Sequence, residues 1–580
     1  MAERVIAGVP AAPGLATGHA RLLGTPVAAA DAAPLAPQER AGEAARAGAA
    51  LAATADQLAA LAAGLRAGGR DDEADLVDTS VLMAADPALL ARVQQLVTGE
   101  GLAAPAAIAA AAGEQADLIA AIPDETLAAR ADDVRSLGRR AARHALRGDT
   151  AGALHAAGDA VLVADELGPA DVAELDDDVV AIALVRGSAT AHAAIVARSL
   201  GVPMVVGAGA ALHRLEDGAR LVVDGSAGVA VAEPEPARVA GARRAAGRRA
   251  AVRERAIADR DLAAVTPDGR RIAVLANVAG PAEVAAALRS GAEGAGLIRT
   301  ELAFLDATAW PGEAEHRRML SPVLAALRGR PATVRVLDFG GDKTPPFLRG
   351  TRARGLALLL EQSPAALAAQ LRAALDAGRH TRLRILLPLV RDAAELEAAG
   401  RLLDEAVAAT GAPRPLLGAM VETPGAAVRA AELAARADFL SIGTNDLTHE
   451  TLGTDRFGGD EAVTHDPRVL RHIAACAGAG RPLEVCGEAA SSPLTVPLLI
   501  GLGVDELSVG AARVGTVRAW VRATRHDEAH AIAAAALSAP DAGAVERLVS
   551  RAASRLELLE RGDAGAEDAD RLGRVVPVRS

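Results

Sequence analysis

His192 stands in the run Gly187-Ser188-Ala189-Thr190-Ala191-His192-Ala193-Ala194-Ile195-Val196-Ala197-Arg198, which follows a strand-like segment and leads into a helical one. In the first turn of a helix, unpaired N–H groups and the helix dipole favour a negative group, and small neighbours leave a phosphoryl group room to approach. Imidazole is a nucleophile near neutral pH, and a phosphoramidate formed on it is labile enough to pass the group on. A second set of residues lies in the C-terminal half. Glu422 and Asp446 end adjacent strand-like segments. Two carboxylates there, with arginines nearby, suit Mg2+ bridging an anionic phosphorylated ligand. Arg299, Arg335 and Arg456 could clamp phosphate or carboxylate through paired N–H donors. Lys343, in the loop Asp338-Phe339-Gly340-Gly341-Asp342-Lys343, is the only lysine in the chain. Its survival is either chance or the mark of a site that needs a compact ammonium and not a guanidinium. Cys486 is either a small buried hydrophobe or a thiol placed to protonate a carbanion-like enolate. Each residue alone has a plain reading, a satisfied surface histidine or a salt-bridge partner; their clustering at strand ends is what sets them apart.

The elements that must carry these groups fall into two textures. Residues 1–25 read as one or two short strands. Leu and Ala at three- and four-residue spacing predict helices from about Pro37 to Gly148, divided near Asp72 and at the turn Asp86-Pro87. Strands return at Ala160–Val163, Val179–Leu184, Met204–Val206 and Arg220–Val223. Arg238 to Ala264, rich in Arg, Ala and Glu, predicts a charged linker helix. After Thr266 eight apolar segments alternate with helical ones: Ile272–Asn277, Gly296–Arg299, Val334–Asp338, Leu383–Leu389, Leu417–Glu422, Phe439–Gly443, Leu483–Cys486 and Glu506–Val509. Eight such units predict a (β/α)8 barrel, a fold whose chemistry sits at the C-terminal strand ends. Those ends carry Asn277, Arg299, Arg335 with Asp338, Glu422, Asn445 with Asp446, and Cys486.

The bulk numbers bound the rest. A chain of 580 residues is too long for one core. Aromatics are 1% and tyrosine is absent, so the cores must be aliphatic and alanine-rich. No run of 18 strongly apolar residues is free of charge, and the N-terminus lacks the pattern of a signal peptide. Two cysteines, Cys476 and Cys486, suit a reducing cytoplasm. A net charge of -12 argues against a nucleic-acid partner.

Together the motifs resemble Enzyme I, the phosphoenolpyruvate–protein phosphotransferases of the bacterial sugar phosphotransferase system. The resemblance runs over nearly the whole chain: Pro13-Gly14 with Gly18, Ala131-Asp132-Asp133-Val134-Arg135, Thr190 to Pro203, Gly294 to Glu301, Arg335 to Lys343, Gly418 to Pro424, Ser441 to Thr448, Asp455-Arg456 and Cys486-Gly487-Glu488. It implies an α/β multidomain protein, with a phosphohistidine α/β domain from residues 1–25 and 146–234. A helical subdomain, 26–145, would dock the small carrier protein HPr. A linker helix over 235–264 would lead to a phosphoenolpyruvate-binding and dimer-forming barrel over 265–580. Residue by residue, His192 matches the phosphorylated histidine, and Arg299, Arg335, Asn445 and Arg456 match the phosphoenolpyruvate-binding positions. Lys343 falls in the substrate-contacting loop, and Asp446 belongs both to the substrate site and, with Glu422, to the Mg2+ ligands. Cys486 matches the acid that protonates C3 of enolpyruvate. The expected protein is a cytoplasmic homodimer that starts sugar uptake by passing phosphate to HPr.

Four departures from the family pattern stand beside the matches, the first being Gly187-Ser188-Ala189-Thr190-Ala191-His192 where Gly-Gly-x-Thr-Ser-His is usual. Ser80 replaces a common histidine, Gly168 replaces a Ser or Thr before Pro169, and the stretch 347–356 is shortened, with Ala357 near the place of an expected arginine. They keep open a phosphotransferase serving a non-standard carrier and a degenerate phosphoenolpyruvate-binding sensor; a barrel acting as a lyase without a protein acceptor is a further alternative, against which the His192 domain and the helical insert speak.

Overall fold

The computed structural model describes residues 3–23, 34–67, 71–121, 130–147, 158–176, 178–189, 191–341, 343–454 and 463–561. The chain divides into two compact units, Met1–Gly247 and Arg248–Ser580.

The first unit joins an eight-stranded sheet to a block of helices. The strands are β1 (Arg4–Ala7), β2 (Val9–Ala12), β3 (Leu15–Leu22), β4 (Ala160–Ala164), β5 (Val179–Leu184), β6 (Met204–Val206), β7 (Arg220–Asp224) and β8 (Val229–Ala232). Their order is β1-β8-β7-β3-β4-β5-β6-β2. Strands β3 to β6 run parallel, and the flanking strands pair antiparallel. The sequence pattern does not reveal β8. It is four residues long and is set by a turn in which Asp224 Oδ1 accepts from the N–H groups of Ser226 and Ala227. The helices are α1 (Pro37–Ala67), α2 (Asp71–Ala84), α3 (Pro87–Gln95), α4 (Ala104–Ala120) and α5 (Arg130–Arg147). Asp86 caps α3 by accepting from Ala88 N–H, with Pro87 in the first helical position, as the Asp-Pro turn predicts. Leu51, Leu58 and Leu65, seven residues apart on α1, enter a core shared with Val77, Val93, Ile108 and Leu137. Alanine makes α1 long and apolar enough by composition to cross a bilayer, but this leucine stripe packs against protein. Two shorter helices complete the unit, α6 (Pro169–Ala173) and α7 (His192–Leu200), and a long one, α8 (Pro236–Ala258), contains the division point between the units.

The second unit is a closed barrel of eight parallel strands: β9 (Ala273–Val278), β10 (Ala295–Arg299), β11 (Pro331–Arg335), β12 (Arg382–Leu387), β13 (Leu416–Val421), β14 (Phe439–Ile442), β15 (Leu483–Val485) and β16 (Glu506–Gly510). Strand β16 pairs with β9 and closes the ring. Most strand ends shift by a residue or two from the pattern reading, and β11 shifts most: it ends at Arg335, so Asp338 stands on the loop beyond it. The apolar run continues through Leu337, but its N–H is taken by the Gln370 side chain at 2.9 Å and is lost to any ladder. Leu297, Leu386, Met420, Phe439 and Cys486 form one buried cluster, with residues drawn from β10, β12, β13, β14 and the end of β15.

Candidate active site

In the first unit, helix α7 begins at His192 itself. Its Nδ1 lies 2.7 Å from Asp133 Oδ2, and the side chains of both residues are largely buried. A carboxylate can only accept, so a neutral ring paired with it carries its proton on Nδ1 and its lone pair on Nε2. Asp133 reaches the histidine from α5, whose Val134, Leu137 and Ala141 are sunk in the helical core. The same face of α5, further along, is tied to α6. Arg140 donates to Asp171 at 3.0 Å, and Ser136 Oγ donates to Asp171 Oδ2 at 2.5 Å. Burial works to raise the Asp171 carboxyl, yet Arg140 and the Ser136 hydrogen bond hold it at about 2.

Two of the sequence departures meet here. Ser80 and Gly168 line one small cleft with Asp133, Ser136 and Arg140. A Cβ on Gly168 would lie 2.6 Å from Ser136 Oγ, so the serine occupies the space that a side chain at 168 would need.

Asp133 escaped the sequence reading as a functional residue. It lies inside a quoted motif, Ala131 to Arg135, and stands one and two helical turns before Leu137 and Arg140 on the inward face of α5. Thr190 lies outside the described residues.

In the second unit, the polar strand ends converge at one end of the barrel. Arg335, at the end of β11, is 4% exposed. It donates to Glu301 Oε1 at 2.5 Å and lies 3.3 Å from Asp338 Oδ2. Lys343 Nζ reaches the same two acids, at 3.1 Å from Glu301 and 3.2 Å from Asp338. The chain's only lysine is therefore fixed beside the buried arginine. Glu301, fully buried, is a second residue that sequence reasoning passed over. It lies inside a quoted motif, but its partners come from 34 and 42 positions away. Arg299 ends β10 exposed. Arg456 lies outside the described residues.

Glu422 follows β13 and is 3% exposed. Its Oε2 accepts from Leu389 N–H at 2.8 Å, and Leu389 holds the left-handed φ of 49° that aims that group. A Cβ on Gly443 would stand 2.6 Å from Glu422 Oε1, so that glycine clears the approach. Burial, then Asp338 and Asp446, push the Glu422 carboxyl up to about 8 against the pull of Arg335. For Asp338, burial is outweighed by Arg335 and Lys343, which hold it below the usual range. Asn445 and Asp446 lie in the first turn of the helix Thr444–Leu452, and Asn445 Oδ1 accepts from Glu488 N–H at 3.1 Å. Cys486 closes the group: its backbone carbonyl accepts from Asn277 Nδ2 at 3.0 Å, and burial drives its thiol up to about 12.

A cation fits this arrangement. Mg2+ keeps several waters and substrate oxygens and needs only one or two carboxylates from the protein. Glu422 and Asp446 would supply two, and a divalent charge would offset the burial and the repulsion from Asp338 and Asp446 that together raise Glu422. No cluster of three or more His, Cys, Asp or Glu side chains with metal-holding geometry occurs among the described residues.

Comparison with known proteins gives three family matches along the chain. Residues 7–130 match the N-terminal domain of phosphoenolpyruvate-utilising enzymes, 156–228 their mobile domain, and 253–526 their phosphoenolpyruvate-binding domain. A phosphoenolpyruvate-protein phosphotransferase of Bacillus sp. (strain S) is 32% identical over 95% of this chain and 98% of its own. One from Streptomyces coelicolor is 37% identical, over 93% and 97%. A multiphosphoryl transfer protein of Rhodobacter capsulatus is 36% identical over 80% of this chain, which spans only 58% of that longer protein.

Proposed function

The chain belongs to the phosphoenolpyruvate–protein phosphotransferases, a family of phosphoenolpyruvate-utilising enzymes, and on that premise we propose that it moves the phosphoryl group of phosphoenolpyruvate to Nε2 of His192 and then to a phosphocarrier protein. The observation that carries the reading is the His192–Asp133 pair at the start of α7. It leaves one ring nitrogen nucleophilic and places it where α7 begins, where N–H groups stabilise the incoming charge.

Arg299, Arg335, Lys343, Asn445 and Arg456 hold the substrate's phosphate and carboxylate. Arg335 and Lys343 are preorganised for this by Glu301 and Asp338, which fix two cations side by side. Glu422 and Asp446 would hold Mg2+, which when bound neutralises charge on the transferring group. Loss of the phosphoryl group leaves the enolate of pyruvate. The Cys486 thiol, kept protonated by its burial, gives its proton to C3, and pyruvate leaves.

The helical block, residues 26–145, receives the carrier protein. Leu82 on α2 and Leu118 on α4, each 74% exposed, supply outward apolar contacts suited to a partner. Ser80 is buried, so the departure there alters the cleft beside Asp133 and not the docking face. The carrier is HPr-like, the step is the first of phosphotransferase sugar uptake, and the protein works in the cytoplasm as a homodimer through its barrel.

Radiolabelled phosphoenolpyruvate with Mg2+ should label the protein in an acid-labile form. Undiminished labelling of a folded His192→Ala variant would sink the proposal. Cys486→Ala should slow pyruvate formation by about 10²-fold or more while ligand binding persists.

A further inference from the structure

Cys486 is 5% exposed and packed in the barrel's apolar cluster, so water has little access to restore a proton that the thiol has given away. Two residues back along β15, on the same inward face, stands Glu484, 1% exposed. Ser441 on β14 links the two. It is the register partner of Glu484, and its Oγ donates to Cys486 Sγ at 3.4 Å. On its other side Glu484 faces Arg384 of β12, whose Nη2 is 3.6 Å from Oε2. Arg384 in turn donates to Glu506 at 2.7 Å and to Thr333 at 2.9 Å. Glu506 opens β16, and its side chain is 22% exposed. A line of ionisable and hydroxyl groups thus runs from the thiol down the barrel to an edge that solvent reaches.

Among the described residues neither carboxyl oxygen of Glu484 makes a hydrogen bond of good geometry; what faces it is the Arg384 guanidinium at 3.6 Å and the hydroxyl of its register partner Ser441. A buried, unsatisfied carboxyl is a poor structural device, and it calls for another explanation. Burial first, then Glu506, raise Glu484 to about 8, although Arg384 and Ser441 pull the other way. It therefore holds a proton near neutrality, and holds it far less tightly than the thiolate of Cys486 would.

We propose that Glu484 and Ser441 form a proton relay that reloads the Cys486 thiol after each pyruvate is made. The relay rests on the reading of Cys486 as the proton donor to C3. Once Cys486 is a thiolate, the Ser441 O–H proton moves to Sγ and the Glu484 proton moves to Ser441 Oγ. Glu484 is left as a carboxylate facing Arg384, and a proton from water returns to it past Glu506. Glu484 acts through Cys486 and does not meet the substrate.

The test separates this role from a structural one. The full-length protein is incubated in D2O with phosphoenolpyruvate, Mg2+ and carbon-labelled pyruvate. Carbon label entering phosphoenolpyruvate reports the chemistry in both directions. Deuterium at C3 of phosphoenolpyruvate reports how often the thiol exchanges its proton with solvent. In Glu484→Gln and in Ser441→Ala, deuterium gained per carbon exchange should fall about tenfold, and Ser441→Thr should restore it. A purely structural defect lowers both signals together and leaves their ratio unchanged; that result in both variants overturns the relay. If Glu484→Gln does not fold, Ser441→Ala decides alone. Carbon exchange and deuterium uptake both intact in Cys486→Ala would instead overturn the reading of Cys486.

Discussion

Replacing Asp133 with Asn tests the proposed nucleophile most directly, because it keeps the size of the side chain and removes its charge. The Nδ1···Oδ2 distance of 2.7 Å is that of a charge-assisted hydrogen bond. As Nε2 attacks phosphorus the ring gains positive charge, so the bond to Asp133 strengthens on the way to the transition state. A hydrogen bond to a charged group is worth about 2 kcal/mol, which corresponds to a rate lower by roughly thirtyfold. The amide adds a second handicap. If its NH2 group donates to Nδ1, the ring proton moves to Nε2 and blocks the nucleophile, so thirtyfold is the smaller end of the expected loss. The assay is single-turnover labelling by radiolabelled phosphoenolpyruvate with Mg2+, quenched in base, with His192→Ala as the blank. Substrate binding by the Asp133→Asn protein should match the parent, because the barrel residues are untouched. A folded Asp133→Asn protein that labels within twofold of the parent rate would refute the assigned role.

Three further outcomes follow from the same geometry. Gly168→Ser should lower stability by about 1–3 kcal/mol through its clash with Ser136, and Ser136→Ala in the same chain should recover part of that loss, read as a double-mutant cycle in urea. Lys343→Arg should weaken phosphoenolpyruvate binding about tenfold, because a guanidinium cannot take the ammonium's place 3.1 and 3.2 Å from Glu301 and Asp338; calorimetry showing unchanged affinity would contradict this. His316 is fully buried, and burial depresses its imidazole from 6.5 to about 4. The unfolded chain therefore takes up that proton first, and stability should fall as pH drops from about 6.5 to about 4, by about 3 kcal/mol from this group. The difference between parent and His316→Gln in urea denaturation should shrink over that window, and a pH-independent difference would exclude the effect.

The barrel was legible in the amino-acid sequence because its strands are apolar runs bounded by polar ends, a pattern set by residues next to one another in the chain. The helical block was legible for the same reason: the spacing of Leu51, Leu58 and Leu65 is a local periodicity. Clustering of Arg335, Lys343, Glu422 and Cys486 at one barrel end follows once the strands are assigned, since the fold brings all C-terminal strand ends together.

What the sequence by itself left open are features made by partners far apart along the chain. Asp133 meets His192 from 59 positions away, and Glu301 meets Arg335 from 34. The early end of β11 depends on Gln370, which takes the N–H of Leu337 across 33 positions. Cys486 could be read alone as a small hydrophobe or as an acid. Only the closed barrel sets Ser441 against its sulfur and buries Glu484 beneath it. Local pattern specifies elements, because propensity and periodicity act over a few residues. Hydrogen bonds and electrostatic environment belong to the tertiary structure, because they depend on which distant groups share one dry interior.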